Sequence, residues 1–417
     1  MRVVVVGSGG REHALAWGLA KTADVTVTPG NAGMAAHGLA CTTTPATELE
    51  ADLVVIGPEQ PLVEGLAERL RAQGKAVLGP NTDGAQLEGS KAFMKDFLAA
   101  AKVPTAAYGT FSDVESALSF LETMTPPYVI KTDGLAAGKG VLVTDSLDDA
   151  RADVRHKLSG DAFGAAGATI IIEEGLTGEE CSMMVLCDGT TVRALATSQD
   201  FKRVGDGGTG PNTGGMGAYS PMPHVADDVV DDMMARVLGP TVTELQRRGI
   251  DYRGVLYAGV MLTATGPKLL EYNVRFGDPE TEVLIPLYGD QVAELLLATA
   301  TGRLGAVEVT PSGSAVTVVL ASHGYPESSR RGDRITGLAA NGQLAAPIEG
   351  VTVFHAGTAL DDEGHFVTNG GRVLAVTAHA GDLATARARA YEAVRQIDFP
   401  GRVLRTDIAE LATKGLA

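Results

Sequence analysis

The sequence predicts a multidomain chain, α/β at its start and α+β at its end. Three observations carry this. The first eighty residues alternate short apolar strands with glycine turns and helical stretches, the pattern of a parallel sheet with helices on its faces. The 417 residues exceed what one compact core holds. After about residue 303 the style changes to short strands separated by Gly/Asp turns and one amphipathic helix.

Taken in order, residues 2–6 are an apolar strand, followed by GSGGREH and a helical pattern with Leu15 and Leu19 on one side. VTVT at 25–28 ends in PGNAG, and DLVVIGPE at 52–59 ends in another glycine turn. A helix carrying Leu62, Leu66 and Leu70 leads to AVLGP at 76–80. The turns at 7–10, 30–33, 57–58 and 79–80 fall at the carboxyl ends of the strands, where such sheets bind ligands. The opening is only a partial dinucleotide fingerprint. Glu12 stands where close helix packing wants Gly or Ala, and Thr28-Pro29-Gly30 replaces the ribose-binding acid. It therefore reads as a Rossmann-like ligand site without NAD, in which Arg11 and a helix N-terminus suit a sugar phosphate.

Residues 84–102 read as one helix, ended by Val103-Pro104-Thr105. From 126, PPYVIKTDGLAAGKGVLVT is a strand, a glycine-rich loop at 133–140 and a second strand. It is not a Walker A loop: Gly134-x-x-x-Gly138-Lys139 is one residue short, Gly140 replaces Ser or Thr, and a strand follows. A glycine hairpin closing over phosphates, with Lys131 and Lys139 as point charges, is one reading; a plain hairpin with a surface lysine is the other. The apolar run from 168 carries Glu173 and Glu174 directly after three isoleucines, where acids need a partner. GTGPNTGGMGAYSP at 208–221 lets backbone approach a ligand closely. A helix at 227–248 and a strand at 254–264 lead to LLEYNVRFGDPETE at 269–282. There Glu271 and Asn273, two apart on one strand face, suit a hard cation that also touches phosphate, and Arg275 suits an anion that forms during reaction. A merely polar strand face is the competing reading. A helix at 290–301 follows, and a later one at 382–397 has Asp382 as its N-cap.

Composition excludes several classes. The net charge of −17 argues against nucleic-acid backbones and anionic membranes, though not against small anionic substrates in a local positive pocket. Cys41, Cys181 and Cys187 are odd in number and form no CxxC, so a disulfide framework or structural zinc is not expected and a reducing cytosol fits. The first strand is too short for a signal sequence, and no run approaches the ~20 apolar residues of a membrane span.

Together these motifs resemble the glycinamide ribonucleotide synthetases (phosphoribosylamine–glycine ligases) of the ATP-grasp superfamily. The resemblance spans nearly the whole chain. It rests on GSGGREHALAW, PGNAG, GPE at 57–59, LEGSKAF at 87–93, DGLAAGKGV at 133–141, GPNTGGMGAYSP, RFGDPET at 275–281, HAGT at 355–358 and TNGGRVL at 368–374. It implies a Rossmann-like N-terminal substrate domain (1–90), ATP-grasp central domains (91–302, with a glycine-hairpin lid at about 108–180) and a small α+β C-terminal domain (303–417). The implied reaction joins glycine to 5-phosphoribosylamine with ATP through glycyl phosphate, the second step of de novo purine synthesis.

By resemblance, Lys91, Lys131 and Lys139 meet the ATP phosphates, Glu174 and Leu176 lie where the hinge backbone meets adenine, Glu180 takes the ribose hydroxyls, and Gly138 and Glu173 belong to the same ATP-binding set. Glu271 and Asn273 hold Mg2+ or Mn2+. Arg275, with Lys139, stabilises the acyl-phosphate transition state. Gly9, Gly10, Arg11, Asn31 and Glu59 line the phosphoribosylamine site, and Asp200, Lys202, Asn212 and Thr213 lie near glycine or the ribose. The implied partners are these small molecules alone, with no nucleic acid or membrane, in a cytoplasmic protein expected as a monomer. Two features depart from the pattern. Glu282 stands where many relatives carry Gln and adds a negative charge near the metal strand. The preceding strand, 254–264, has no acid to serve as a third metal ligand. A related purine or biotin-dependent carboxylase, an NAD oxidoreductase and a non-catalytic nucleotide sensor are the competing readings.

Overall fold

The computed structural model describes residues 1–134, 140–160, 168–308 and 310–415. The N-terminal unit is a five-stranded parallel sheet in the order Ala40–Cys41, Asp24–Pro29, Arg2–Gly7, Leu53–Ile56, Ala76–Leu78. Val3, Val4 and Val5 are all buried, as expected for a central strand covered on both faces. The order reverses between Arg2–Gly7 and Leu53–Ile56. Helices Gly10–Leu19 and Glu59–Val63 start at that switch point and open a crevice there.

The helix expected over 84–102 is two helices, Thr82–Gly89 and Lys91–Ala101. Ser90 adopts an extended conformation between them, caps the second by accepting from Phe93 N, and donates to Asp133. That break turns Glu88 and Lys91 toward the same cleft.

The chain then forms a four-stranded antiparallel sheet in the order Tyr108–Phe111, Ile170–Glu174, Tyr128–Thr132, Val141–Thr144. Helices Val114–Leu121 and Leu147–Leu158, capped by Asp113 and Ser146, pack on it through Ala117, Leu121, Ile130, Val154, Ile170 and Ile172. Gly138 and Lys139 lie outside the described residues.

A second antiparallel sheet follows, ordered Val192–Ala194, Glu179–Asp188, Arg253–Thr263, Gly266–Asn273. Next comes an element the sequence reading misses: Glu280–Tyr288 is a helix, and its acids Glu280 and Glu282 are buried. With Val292–Ala300 it makes a segment, Glu280–Ala300, long and apolar enough by composition to cross a membrane, contrary to the expectation of none. Most of it is packed inside, against helix Gly10–Leu19 and strand Ser314–Ala321.

The last sheet is ordered Gln199–Asp200, Gly217–Ser220, Ser314–Ala321, Arg372–Ala380, Val351–His355, so two strands from earlier in the chain complete it. Helix Leu383–Val394 covers it, and Asp382 accepts from Thr385 N at 2.8 Å, as expected of the N-cap.

Candidate active site

One cleft of about 1620 Å³ gathers most of the singled-out residues: Arg11, Glu59, Lys91, Lys131, Glu173, Glu174, Leu176, Glu180, Asp200, Lys202, Asn212, Thr213, Glu271, Asn273 and Arg275 all line it. Its walls come from the N-terminal switch point, the 108–174 sheet, the central sheet and the C-terminal segment. Pro127, Val129, Val141, Leu176, Met261 and Leu270 make one part apolar, a slot suited to a flat base.

The charged part is built outward from strand Gly266–Asn273. Lys131 pairs with Glu173 Oε2 at 2.9 Å and donates to Leu270 O. Lys91, at the start of its helix, donates to Gly134 O at 3.0 Å. Lys202 bridges Glu180 (2.7 Å) and Glu271 (3.8 Å). Burial alone would raise the proton affinity of Glu271. Lys202, Lys131 and Lys91 more than offset it and hold the carboxyl below its ordinary value. An ionised carboxylate with the Asn273 carbonyl oxygen beside it is a hard-oxygen pair that fits Mg2+ or Mn2+ sharing phosphate oxygens and water. Among the described residues no cluster of three or more His, Cys, Asp or Glu completes a protein-only metal site.

Arg275 is embedded in acids. It donates to Glu88 at 2.8 Å, Asn273 at 3.1 Å and Glu59 at 3.3 Å. Burial opposes its charge, but Glu88 and Glu59 hold its pKa above the ordinary value. Glu88, which also accepts from Val274 N, was not singled out from the sequence, although it sits inside LEGSKAF. Asp200 has the opposite character. Burial and the neighbouring Glu280 push its carboxyl well above the usual range, and its Oδ1 has no hydrogen-bond partner. Glu280 itself accepts from Ser182 Oγ, which contacts Tyr257 OH.

At the hinge, Glu174 accepts from Ala107 N and Lys268 Nζ. Arg372, also missed although it lies in TNGGRVL, reaches the cleft from the C-terminal sheet and pairs with Asp278 at 3.0 Å.

The glycine turn of the N-terminal unit departs from a nucleotide loop. Glu12 accepts from Gly9 N at 2.6 Å and from Arg11 Nε at 2.5 Å. It fills the strand ends: a Cβ added to Gly57 would meet its carboxyl at 2.1 Å. Arg11 also donates to Phe276 O. Gly10 faces Glu282, and Gly9 faces Glu12 and Asp278. Asn31 caps helix Ala32–Ala36 through Met34 N and donates to Ser8 O and His355 O, so its amide ties the N-terminal unit to the C-terminal sheet. Glu282 is not beside the metal-type strand. It is buried against Gly10, and the charges acting on it are Asp278, Arg372 and Arg11.

Three family models match in succession: phosphoribosylglycinamide synthetase N domain over residues 1–88, its ATP-grasp (A) domain over 89–281, and its C domain over 315–411. The chain is 48% identical to a phosphoribosylamine–glycine ligase of Escherichia coli K12, covering 98% of both chains. It is 47% identical to one of Mesorhizobium japonicum, over 98% of this chain and 97% of that one. The crystal structure of a phosphoribosylamine–glycine ligase from Thermotoga maritima superposes with a TM-score of 0.88 at 36% identity, covering 98% of this chain and 100% of that one. The biotin carboxylase domain of a Hydrogenobacter thermophilus 2-oxoglutarate carboxylase shares the fold at 15% identity and a TM-score of 0.72, over 97% and 91% of the two chains.

Proposed function

The chain belongs to the phosphoribosylglycinamide synthetase family, and we propose that it converts ATP, glycine and 5-phosphoribosylamine into ADP, phosphate and glycinamide ribonucleotide. This is the second step of de novo purine synthesis. The observation that carries the reading is the single cleft in which the Lys91–Lys131 phosphate end, the Glu271–Asn273 strand face and the N-terminal switch point meet.

A carboxylate is a poor acyl donor. One glycine carboxylate oxygen attacks the γ-phosphorus, ADP leaves, and glycyl phosphate forms. The amine of phosphoribosylamine then attacks the carbonyl carbon, phosphate leaves with that oxygen, and the amide nitrogen loses a proton. Little covalent work falls to the protein; positioning and charge neutralisation dominate.

Lys91 and Lys131 face the phosphates, and the 174–176 hinge with the apolar slot takes adenine. Glu180 takes the ribose. Glu271 and Asn273 would hold a divalent cation whose chemistry is to neutralise the β- and γ-phosphate charge. Arg275, kept cationic and rigid by Glu59 and Glu88, points a fixed positive charge at the acyl phosphate. Asp200, with raised proton affinity, suits the group that takes the proton from the attacking amine. Gly9, Gly10, Arg11 and Glu59 border the phosphoribosylamine end, with Asn31 holding that wall in place. Lys202, Asn212 and Thr213 border glycine. The same reading carries a cytoplasmic monomer.

A phosphate-release assay with each substrate omitted in turn tests this. Release is expected only with ATP, glycine and phosphoribosylamine together; turnover unchanged without glycine refutes the reading.

A further inference from the structure

Lys95 lies one turn beyond Lys91 on helix Lys91–Ala101 and is fully buried, with 0% of its side chain exposed. Its ammonium sits 3.0 Å from Glu173 Oε1, while Lys131 holds the other oxygen at 2.9 Å. Within ion-pair reach, two ammonium groups share one carboxylate, a formal charge of +1 in a site where all three side chains are at least nine-tenths buried. Lys131 and Glu173 line the cleft; Lys95 does not. Lys95 also donates to Thr105 Oγ1 at 2.8 Å, which donates to Leu269 O, and it lies 5.0 Å from the centre of the Tyr108 ring. It therefore touches Tyr108 on one edge strand of the 108–174 sheet and Glu173 on the inner strand beside it, and through Thr105 it reaches Leu269 on the strand that carries the metal-type residues. Burying an ammonium costs several kcal/mol unless it is paired, and an apolar side chain would fill the space more cheaply.

We infer that Lys95 is a positioning residue for ATP: by sharing Glu173 it leaves Lys131 with surplus positive charge, aimed at the nucleotide's phosphates. This rests on the reading that Lys131 meets phosphate. The alternative is that Lys95 only packs the hinge. The two differ in sign for a paired substitution. Lys95→Met leaves Glu173 and Lys131 as a neutral pair, whereas Lys95→Met with Glu173→Gln restores the +1 by freeing Lys131.

Calorimetric titration of the full chain with MgATP and with adenosine separates them. Lys95→Met is expected to weaken MgATP on the order of tenfold, the effect of one charge on a partly screened neighbour, with adenosine binding unchanged. The double variant is expected to regain MgATP affinity. Equal losses for MgATP and adenosine, or a double variant weaker than the single one, overturn the inference. If Lys95→Met does not fold, Lys95→Gln, which keeps a donor for Thr105 Oγ1, takes its place: MgATP weakened with adenosine unchanged supports the charge account, and MgATP binding unchanged, or lost equally with adenosine, overturns it. Lys131→Met is the control. No effect there refutes the phosphate reading and the inference with it; a loss there without one in Lys95→Met refutes the inference alone.

Discussion

The contact between the N-terminal helix Gly10–Leu19 and the C-terminal strand Val351–His355 runs through three histidines, and it should be sensitive to acid. His355 N donates to His13 Nδ1 at 2.8 Å, so the proton of neutral His13 is assigned to Nε2, which donates to His37 Nδ1 at 3.0 Å. His355 Nε2 donates to Gly342 O, and its Nδ1 accepts from Thr358 Oγ1. Every ring nitrogen in this chain of bonds is matched only while all three rings are neutral. Burial lowers all three pKa values, His355 from 6.5 to about 4, and the charged forms felt by His13 are His355 and His37. A group whose folded pKa is depressed binds its proton more readily when unfolded. The stability it contributes is present above pH 6.5 and is lost as pH falls toward the folded value. For His355 alone this amounts to roughly 2 kcal/mol lost by pH 5 and about 3 kcal/mol by pH 4. Glu88, Asp200 and Glu282, with raised values, work in the opposite sense, so the comparison must be with a variant. His13→Asn keeps an acceptor for His355 N but removes one titrating ring. Urea unfolding of both proteins from pH 7 to 5 should show the wild type losing more stability than the variant. Parallel pH profiles would refute the argument that these rings are held neutral by their contacts.

Further outcomes follow from the same geometry. Glu271→Ala should lower kcat on the order of a hundredfold or more and flatten the dependence on Mg2+ or Mn2+ concentration, read by steady-state kinetics; near-normal turnover removes Glu271 from the cation site. Asp200→Asn should lower kcat while leaving the KM for ATP near its original value, because its role falls after nucleotide binding; a rise in ATP KM alone would reassign it. Gly33→Ala would place a Cβ 1.9 Å from His355 Cγ, and should cost about 1–3 kcal/mol or more of stability by thermal unfolding; an unchanged melting temperature would mean that this interface yields freely.

The parallel opening sheet was legible because a strand buried on both faces shows as an unbroken apolar run, as in Val3 to Val6. The hairpin sheet was legible because its glycines interrupt two such runs. What escaped was anything set by contacts distant in sequence. Ser90 reads as an ordinary helical residue, yet Asp133, 43 residues away, accepts its hydroxyl while Ser90 caps the next helix and breaks the run. Glu280 and Glu282 look like surface acids after a proline turn, but helix Glu280–Tyr288 is wrapped on all sides and buries both. Glu88 and Arg372 lay inside motifs that were recognised, and only the fold shows that one grips Arg275 and the other Asp278. Glu12 could be seen to violate the dinucleotide pattern; that its carboxylate occupies the strand ends needed the packing of Gly7 and Gly57 around it.

The most direct test of the account follows the oxygen. Glycine labelled with 18O in its carboxylate, turned over with ATP and phosphoribosylamine, should transfer one labelled oxygen to inorganic phosphate in each cycle, because the carboxylate oxygen that attacks the γ-phosphorus leaves with it. Phosphate free of label, at full product yield, would contradict activation of glycine as its acyl phosphate in this cleft.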